Sequence, residues 1–250
     1  MKTQKLLSAV VIFSFASASL QAFELASSAS SFADVFSELL SDNEGTTSFH
    51  SLNISSGGRS ESMGSAYVAL SDDASFFDYN PAASALLEQT EIAVLHNAWI
   101  ADSALETVCA TTRQGNVGMG LQLKCFYVPF TEYDSYGERV AGSYYSESTI
   151  TCNASYNFLA GYNFRGIAVG ANVRAAWRSV PDYGDGTSGA VEAGSGLAQS
   201  ALAGMADVGM LVRWNAAKFY SDREPNMSFG LALANLGAAI TGFGNSVQLD

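Results

Sequence analysis

IAVGANVRAAWR, residues Ile167 to Arg178, alternates without a break. Ile167, Val169, Ala171, Val173, Ala175 and Trp177 are apolar, and Ala168, Gly170, Asn172, Arg174, Ala176 and Arg178 between them are small or polar. Successive residues of a strand point to opposite faces, so this period of two predicts a β-strand with one apolar face and one small or polar face. The pattern recurs on both sides. Val117, Met119, Leu121, Leu123 and Cys125 alternate with Gly118, Gly120, Gln122 and Lys124; Ile150 to Phe158, Ala206 to Trp214 and Met227 to Leu233 repeat it. Two weaker segments, Glu91–Ile100 and Leu105–Arg113, come first and bring the count to seven. Their lengths suit a tilted strand crossing a bilayer, which needs roughly 9–11 residues.

The connections alternate in length. Gln114-Gly115-Asn116 and Ala160–Arg165 are tight, whereas Phe126–Glu147 and Ser179–Leu202 are long; Ala217–Asn226 is the poor fit. Short turns on one side and long loops on the other are the habit of outer-membrane barrels. Trp99, Trp177 and Trp214 fall at strand ends, with Tyr127, Phe130 and Tyr162, where interfacial aromatic girdles belong. Alternation alone does not say which face is outside, because an exported soluble sandwich would turn the same apolar face inward. The up-and-down order, the small and polar second face and an export signal favour the membrane. The expected fold is all-β, an antiparallel up-and-down transmembrane β-barrel of about seven strands, incomplete, with a small helical N-terminal hatch.

Residues 1–22 read as a secretory signal. Lys2 and Lys5 precede the apolar stretch Leu6–Phe15, and Leu20-Gln21-Ala22 offers a cleavage site. Residues 23–90 form the expected hatch, in which Phe32, Val35, Phe36, Leu39 and Leu40 sit at helical spacing, and residues 91–250 the partial barrel. The chain is 48% hydrophobic and only 14% charged, against about 25% in an ordinary soluble domain. Its net charge of −12 argues against a nucleic-acid partner, since phosphate binding needs a basic face. Cys109, Cys125 and Cys152 are odd in number, widely spaced and placed on strand patterns, so they read as small apolar residues rather than metal ligands. With His50 and His96 the only histidines, and no Gly-x-Ser-x-Gly elbow, no enzyme, metal site or cofactor is expected.

The stretch Gly57–Leu87, GGRSESMGSAYVALSDDASFFDYNPAASALL, is of another kind. Asn80-Pro81-Ala82 predicts a helix start, with Asn80 as cap and Pro81 at the first position, where a missing N–H costs nothing. Gly64, Ala66 and Ala69 are expected to let backbone approach backbone, and Asp72 and Asp73 to cap or to pair. The segment resembles the N-terminal hatch of the FadL family of outer-membrane transporters of hydrophobic molecules. It is similar also to PorV-like outer-membrane proteins and to an uncharacterised spirochaete family of that group. The resemblance rests on Gly64, Ala66, Ala69, Asp73, Ala74, Ser75, Asn80, Pro81 and Ala82, and secondarily on Asn235-Leu236-Gly237, which is similar to a strand-end pattern of the PorV-like members.

That resemblance implies a location in the bacterial outer membrane among membrane lipid, and a hatch that shifts to admit long-chain fatty acids or other hydrophobic ligands. It also implies a lateral exit at a kink in the third strand, for which Gly118 and Gly120 are the residues available. Arg174, Arg178 and Arg213 share the expected lumen face. They could meet a fatty-acid carboxylate, but pairing with hatch acids such as Asp72 or Asp73 is the stronger expectation, because buried charges need partners. The family barrel has about twice the strands found here. The remaining expectations are therefore a second chain that completes the barrel, a PorV-like scaffold or surface antigen, or a fragment that does not transport.

Overall fold

A computed structural model describes residues 49–133, 136–158, 164–182, 195–217, 225–241 and 248–249, all within one compact unit, Ser48–Asp250. The expected signal segment and the helical spacing at Phe32–Leu40 lie outside the described residues, as does the turn at 159–163.

Seven long strands run up and down in chain order: β1 (Glu91–Ala98), β2 (Ala104–Gln114), β3 (Val117–Tyr133), β4 (Arg139–Phe158), β5 (Phe164–Ser179), β6 (Ala201–Trp214) and β7 (Met227–Thr241). Each pairs antiparallel with the next, and a two-residue strand, β8 (Gln248–Leu249), joins β7 at Ile240 and Thr241. The sheet is all-β and open, with β1 at one edge. No described helix is long and apolar enough to cross a membrane. β2 and β3 meet in a tight hairpin across Gly115-Asn116, where Gly115 adopts φ +61°, a left-handed conformation that costs glycine little.

One expected loop proved to be strand. Between Phe126 and Glu147 the chain stays in a β-hairpin, β3 to Tyr133 and β4 from Arg139, with Val128↔Tyr145 and Phe130↔Ser143 in register. Pro129 falls within β3. It lies past Tyr127, the last β3 residue opposite β2, on a part of β3 that has β4 as its only neighbour. A residue without an N–H is tolerated on such an edge.

The N-terminal segment from Phe49 to Leu87 holds short elements only. They are 3-10 turns at His50–Asn53, Ala74–Asp78 and Pro81–Ala85, and one short helix, α1 (Gly58–Ser62). α1 stops in a Schellman arrangement: the Ser65 N–H donates to Ser60 and the Gly64 N–H to Glu61, with Gly64 at φ +62°. A last short helix, α2 (Ser195–Gln199), precedes β6.

The two faces of the sheet are covered in the reverse of a soluble protein's order. The small and polar face lies against the N-terminal segment: Gln122, Lys124, Thr149, Thr151, Asn153, Asn172, Arg174 and Asp207 are buried. The apolar face is exposed across the ladders, from Ile92 and Val94 through Val108, Leu121, Leu123, Val173 and Val208 to Leu231 and Leu233. Val173, in the middle of the sheet, is 67% exposed. Such a band, seven strands wide at about 4.8 Å each, far exceeds the few hundred Å² of contiguous apolar surface that soluble monomers expose. On the outward face of β1 and β2, His96 and Glu106 form a cross-strand pair whose Nδ1 and Oε1 lie 2.7 Å apart.

Candidate functional site

The seam between the Phe49–Leu87 segment and the polar face of the sheet gathers nearly all the chemistry in the described structure. It is built on small residues. A Cβ added at Gly118 in β3 would lie 2.2 Å from the Ser84 carbonyl carbon, and one at Gly120 2.6 Å from the Phe77 ring. At Gly170 in β5 it would meet the Pro81 oxygen at 2.3 Å, at Gly209 in β6 Oδ1 of Asn80 at 2.2 Å, and at Gly230 in β7 the Val68 oxygen at 2.4 Å. Four strands thus each surrender side chains so that one piece of irregular backbone can lie on them. Phe76 and Phe77, stacked with ring centroids 4.2 Å apart, fill what remains with Ala82, Ala83, Leu86 and Leu211.

Irregular backbone brings unpaired carbonyls and N–H groups, and buried ones must find partners. Asn80 does this three times: Oδ1 accepts from the Ala82 N–H at 3.1 Å, and Nδ2 donates to Val68 at 2.9 Å and to Met210 of β6 at 3.0 Å. Asn153 Nδ2 donates to the Pro81 carbonyl at 2.9 Å and to Asn172 Oδ1 at 2.8 Å. Ser84 Oγ lies 2.5 Å from both Asn153 Oδ1 and Ser155 Oγ. The Phe77 carbonyl accepts from both Asn172 and Arg174.

Two buried ion pairs complete the seam. Arg174 Nε lies 2.7 Å from Asp207 Oδ2. Asp207 also accepts from Asn172 Nδ2 and from the Asn235 N–H, each at 2.7 Å. Lys124 donates to the Ile54 carbonyl at 2.5 Å and lies 3.4 Å from Asp78 Oδ1, whose other oxygen accepts from the Ser56 N–H at 3.0 Å. Burial pushes the Asp78 carboxyl up, but the Lys124 ammonium, Ser56 and, farther off, Arg174 outweigh it and hold the group below its ordinary range. At the far end Glu147, opposite Arg178 in the β4–β5 register, accepts from the Ser51 N–H at 2.8 Å and from the Tyr145 hydroxyl.

Several expected site residues take different roles. Asp72 pairs with Arg59 at 2.8 Å and accepts from the Tyr67 hydroxyl, and Asp73 caps the turn at Ala74–Asp78 through Ser75. The hatch acids expected opposite the arginines are thereby occupied within their own segment. Arg174 instead meets Asp207 of the neighbouring strand, while Arg178 donates to the Gln199 carbonyl and Arg213 to the Leu70 carbonyl. Gly64 and Ala66 are exposed at the end of α1, so the close backbone approach expected there belongs to the glycines of the sheet. Gly118 and Gly120 lie in unshifted ladders with both β2 and β4, the register shift of β3 falling at Glu132/Tyr133, and they supply room for the segment. Asn235-Leu236-Gly237 lies inside β7, not at its end: Asn235 at φ +59° is the extra residue of a bulge opposite Ala206/Val208, turned so that its N–H reaches Asp207.

Lys124, Asn153, Asn172 and Asp207 stand on the polar side of the alternation in the sequence, but nothing singles them out there. The signal that could have found them is charge or amide in the middle of an otherwise small-residue face. Pro81 and Ala82 sit buried at the centre of the seam. Cys109 is buried beside Ala93, and Cys152 is exposed on the apolar face. No group of three metal-ligating side chains occurs among the described residues.

The fold and seam define a class: an open, up-and-down antiparallel sheet with its polar face packed on an irregular N-terminal segment and its apolar face bare. Residues 24–247 match the family described as an uncharacterised protein family, UPF0164, and the chain belongs to it. Curated relatives are UPF0164 proteins of Treponema pallidum (strain Nichols). One is 33% identical over 205 residues, covering 79% of this chain and 44% of the relative. Others are 30% identical over 192 residues (77% and 36%) and 31% identical over 196 residues (74% and 52%). The chain thus spans about half, or less, of the length of the curated relatives it matches. No solved structure matches.

Proposed function

We propose that this chain is a section of an outer-membrane β-wall, with its apolar face against lipid and its N-terminal segment as an internal hatch, in a protein of the FadL-like kind that takes up hydrophobic small molecules. The observation that carries the reading is the inverted sheet. Its apolar residues are bare and its buried residues are polar. In water this arrangement forfeits roughly 25 cal/mol for every Å² of apolar surface left exposed; against hydrocarbon it costs nothing. Trp99 directly after β1, Trp177 near the end of β5 and Trp214 at the end of β6 stand where an amphipathic ring meets a headgroup layer.

Cys152, exposed on the apolar face, gives a direct test. In a Cys109→Ala, Cys125→Ser background reconstituted into phospholipid vesicles, it is expected to resist a charged maleimide and to react with a membrane-soluble one. Ready reaction with the charged reagent in lipid would overturn the wall. Uptake of labelled long-chain fatty acid by cells producing the protein tests the cargo separately, and its absence removes transport while leaving the wall in place.

A further inference from the structure

The resemblance leads one to expect a hatch that shifts, but the seam has the construction of a permanent joint. We infer that Phe49–Leu87 is the fixed core on which the strands are assembled, and that cargo passes beside it. The route is the cleft between the starts of β1 and β7, reached without displacement of the segment.

Four lines of geometry carry this. Contact is backbone to backbone at Gly118, Gly170 and Gly230, so there is no side chain whose rotation could free the segment. The bonds that hold it are distributed over β3 to β6, through Lys124, Asn153, Asn172, Arg174 and Met210. Withdrawal would strand all of these groups at once and part the buried Lys124–Asp78 pair; a charged group left buried without its partner alone costs about 3–5 kcal/mol. Finally, among the described residues the bulk that fills the seam comes from the segment, through Phe76, Phe77 and Leu86, whereas the sheet contributes mostly glycine, alanine, serine, threonine and amides. A device that opens needs a second arrangement of similar energy, and the sheet offers the segment only one seat.

The cleft is of a different character. It holds about 580 Å³, and among its lining residues are Leu70, Asp72, Glu91, Arg213, Met227 and Ser228. Leu70 and Met227, both exposed, give it apolar surface, although the Leu70 carbonyl accepts from Arg213. Residues from the first strand and from the start of the seventh line the same space, so the sheet curls far enough round the segment to bring its two sides together there. The fixed core stands on the seam alone; the choice of this cleft as the route rests on the transport reading above.

The experiment uses the full chain in detergent micelles. Ser84→Cys with Ser155→Cys places two thiols where hydroxyl oxygens lie 2.5 Å apart, in a background free of the native cysteines, so that oxidation ties the segment to β4. Hydrogen exchange is followed by mass spectrometry with and without the disulfide. The expected result is no change on oxidation, with peptides covering Asn80–Leu87 exchanging only in the opening that also exposes β3 to β6. Exchange of that segment about tenfold or more faster than those strands, slowed by oxidation, would reveal a separate opening and overturn the fixed core. Should the double variant fail to fold, the comparison of segment and strands in the unaltered chain decides the same point. Fatty-acid uptake gives the second reading. Equal uptake in the oxidised and reduced states supports passage beside the segment, and loss on oxidation refutes it. No uptake in either state removes the cleft as a route and the transport reading with it, while the exchange result on the core stands by itself.

Discussion

Asp207 shows what the seam asks of a single residue. Its carboxylate is out of water, and Arg174, Asn172 and the Asn235 N–H surround it. Asp207→Ala leaves the Arg174 guanidinium buried without its counter-charge and should cost about 3–5 kcal/mol, read as a lowered urea midpoint in micelles. Arg174→Met in the same chain should recover part of that loss, because contacting residues are not additive; two independent losses would show that the pair does not act as a unit. Asp78 yields a pH dependence. Its folded pKa is lowered, so its contribution is fully present above the unfolded value of about 3.9 and is lost as the pH falls below it. Asp72, held down by Tyr67 and Arg59 against its own burial, moves the same way. Proteolysis within Phe49–Leu87 should therefore quicken between about pH 4 and pH 3, by a smaller step in Asp78→Asn; equal steps in the two proteins would assign the effect elsewhere. Of these residues the sequence displays position but not partnership. Asn172 and Asp207 are 35 residues apart and meet through the β5–β6 register; Asn153 and Pro81 are 72 apart and meet where the segment packs on the sheet.

At the scale of the element, the alternation in β5 and β6 was legible because every second residue there answers to a different medium. The tight turn at Gly115 and the cap at Asn80 could be read for the same reason: each is fixed by chemistry within a few residues. The β3–β4 hairpin could not. Its outer half has no second neighbour strand and no buried face to enforce a period, so Pro129, Gly137 and Gly142 look like a loop. The glycines of the sheet were ambiguous, since a glycine in a strand can mark a bend or a close approach, and only the opposing segment decides. Gly170→Ala should therefore destabilise the protein by about 1–3 kcal/mol, as overpacking does, because its Cβ would strike the Pro81 backbone. Gly204→Ala in β6, where a Cβ meets nothing within 4 Å, should be neutral in the same thermal melts. Equal effects of the two substitutions would mean that the segment does not press on β5 as described.

The whole molecule sorts its connections to two ends. The turn at Gly115-Asn116, the end of β4 and start of β5, and the end of β6 and start of β7 lie at one end; the end of β3 and start of β4, and the end of β5 and start of β6, lie at the other. A tag inserted at Gly137 should label intact cells and one at Asn116 should not, and the opposite result would reverse the wall. The outer part of the hairpin presents Tyr133, Tyr136 and Tyr144, all exposed, past the last residues that pair with β2 and β5. Strand direction carries one more consequence. β1 and β7, an even number of steps apart, point the same way. Two copies inserted in a membrane with the same orientation would therefore offer one another only parallel neighbours at these edges. An antiparallel cylinder that contains β1 to β7 must interpose an odd number of further strands, of which β8 is the first. Counted by parity alone, a symmetric ring of these seven strands is frustrated.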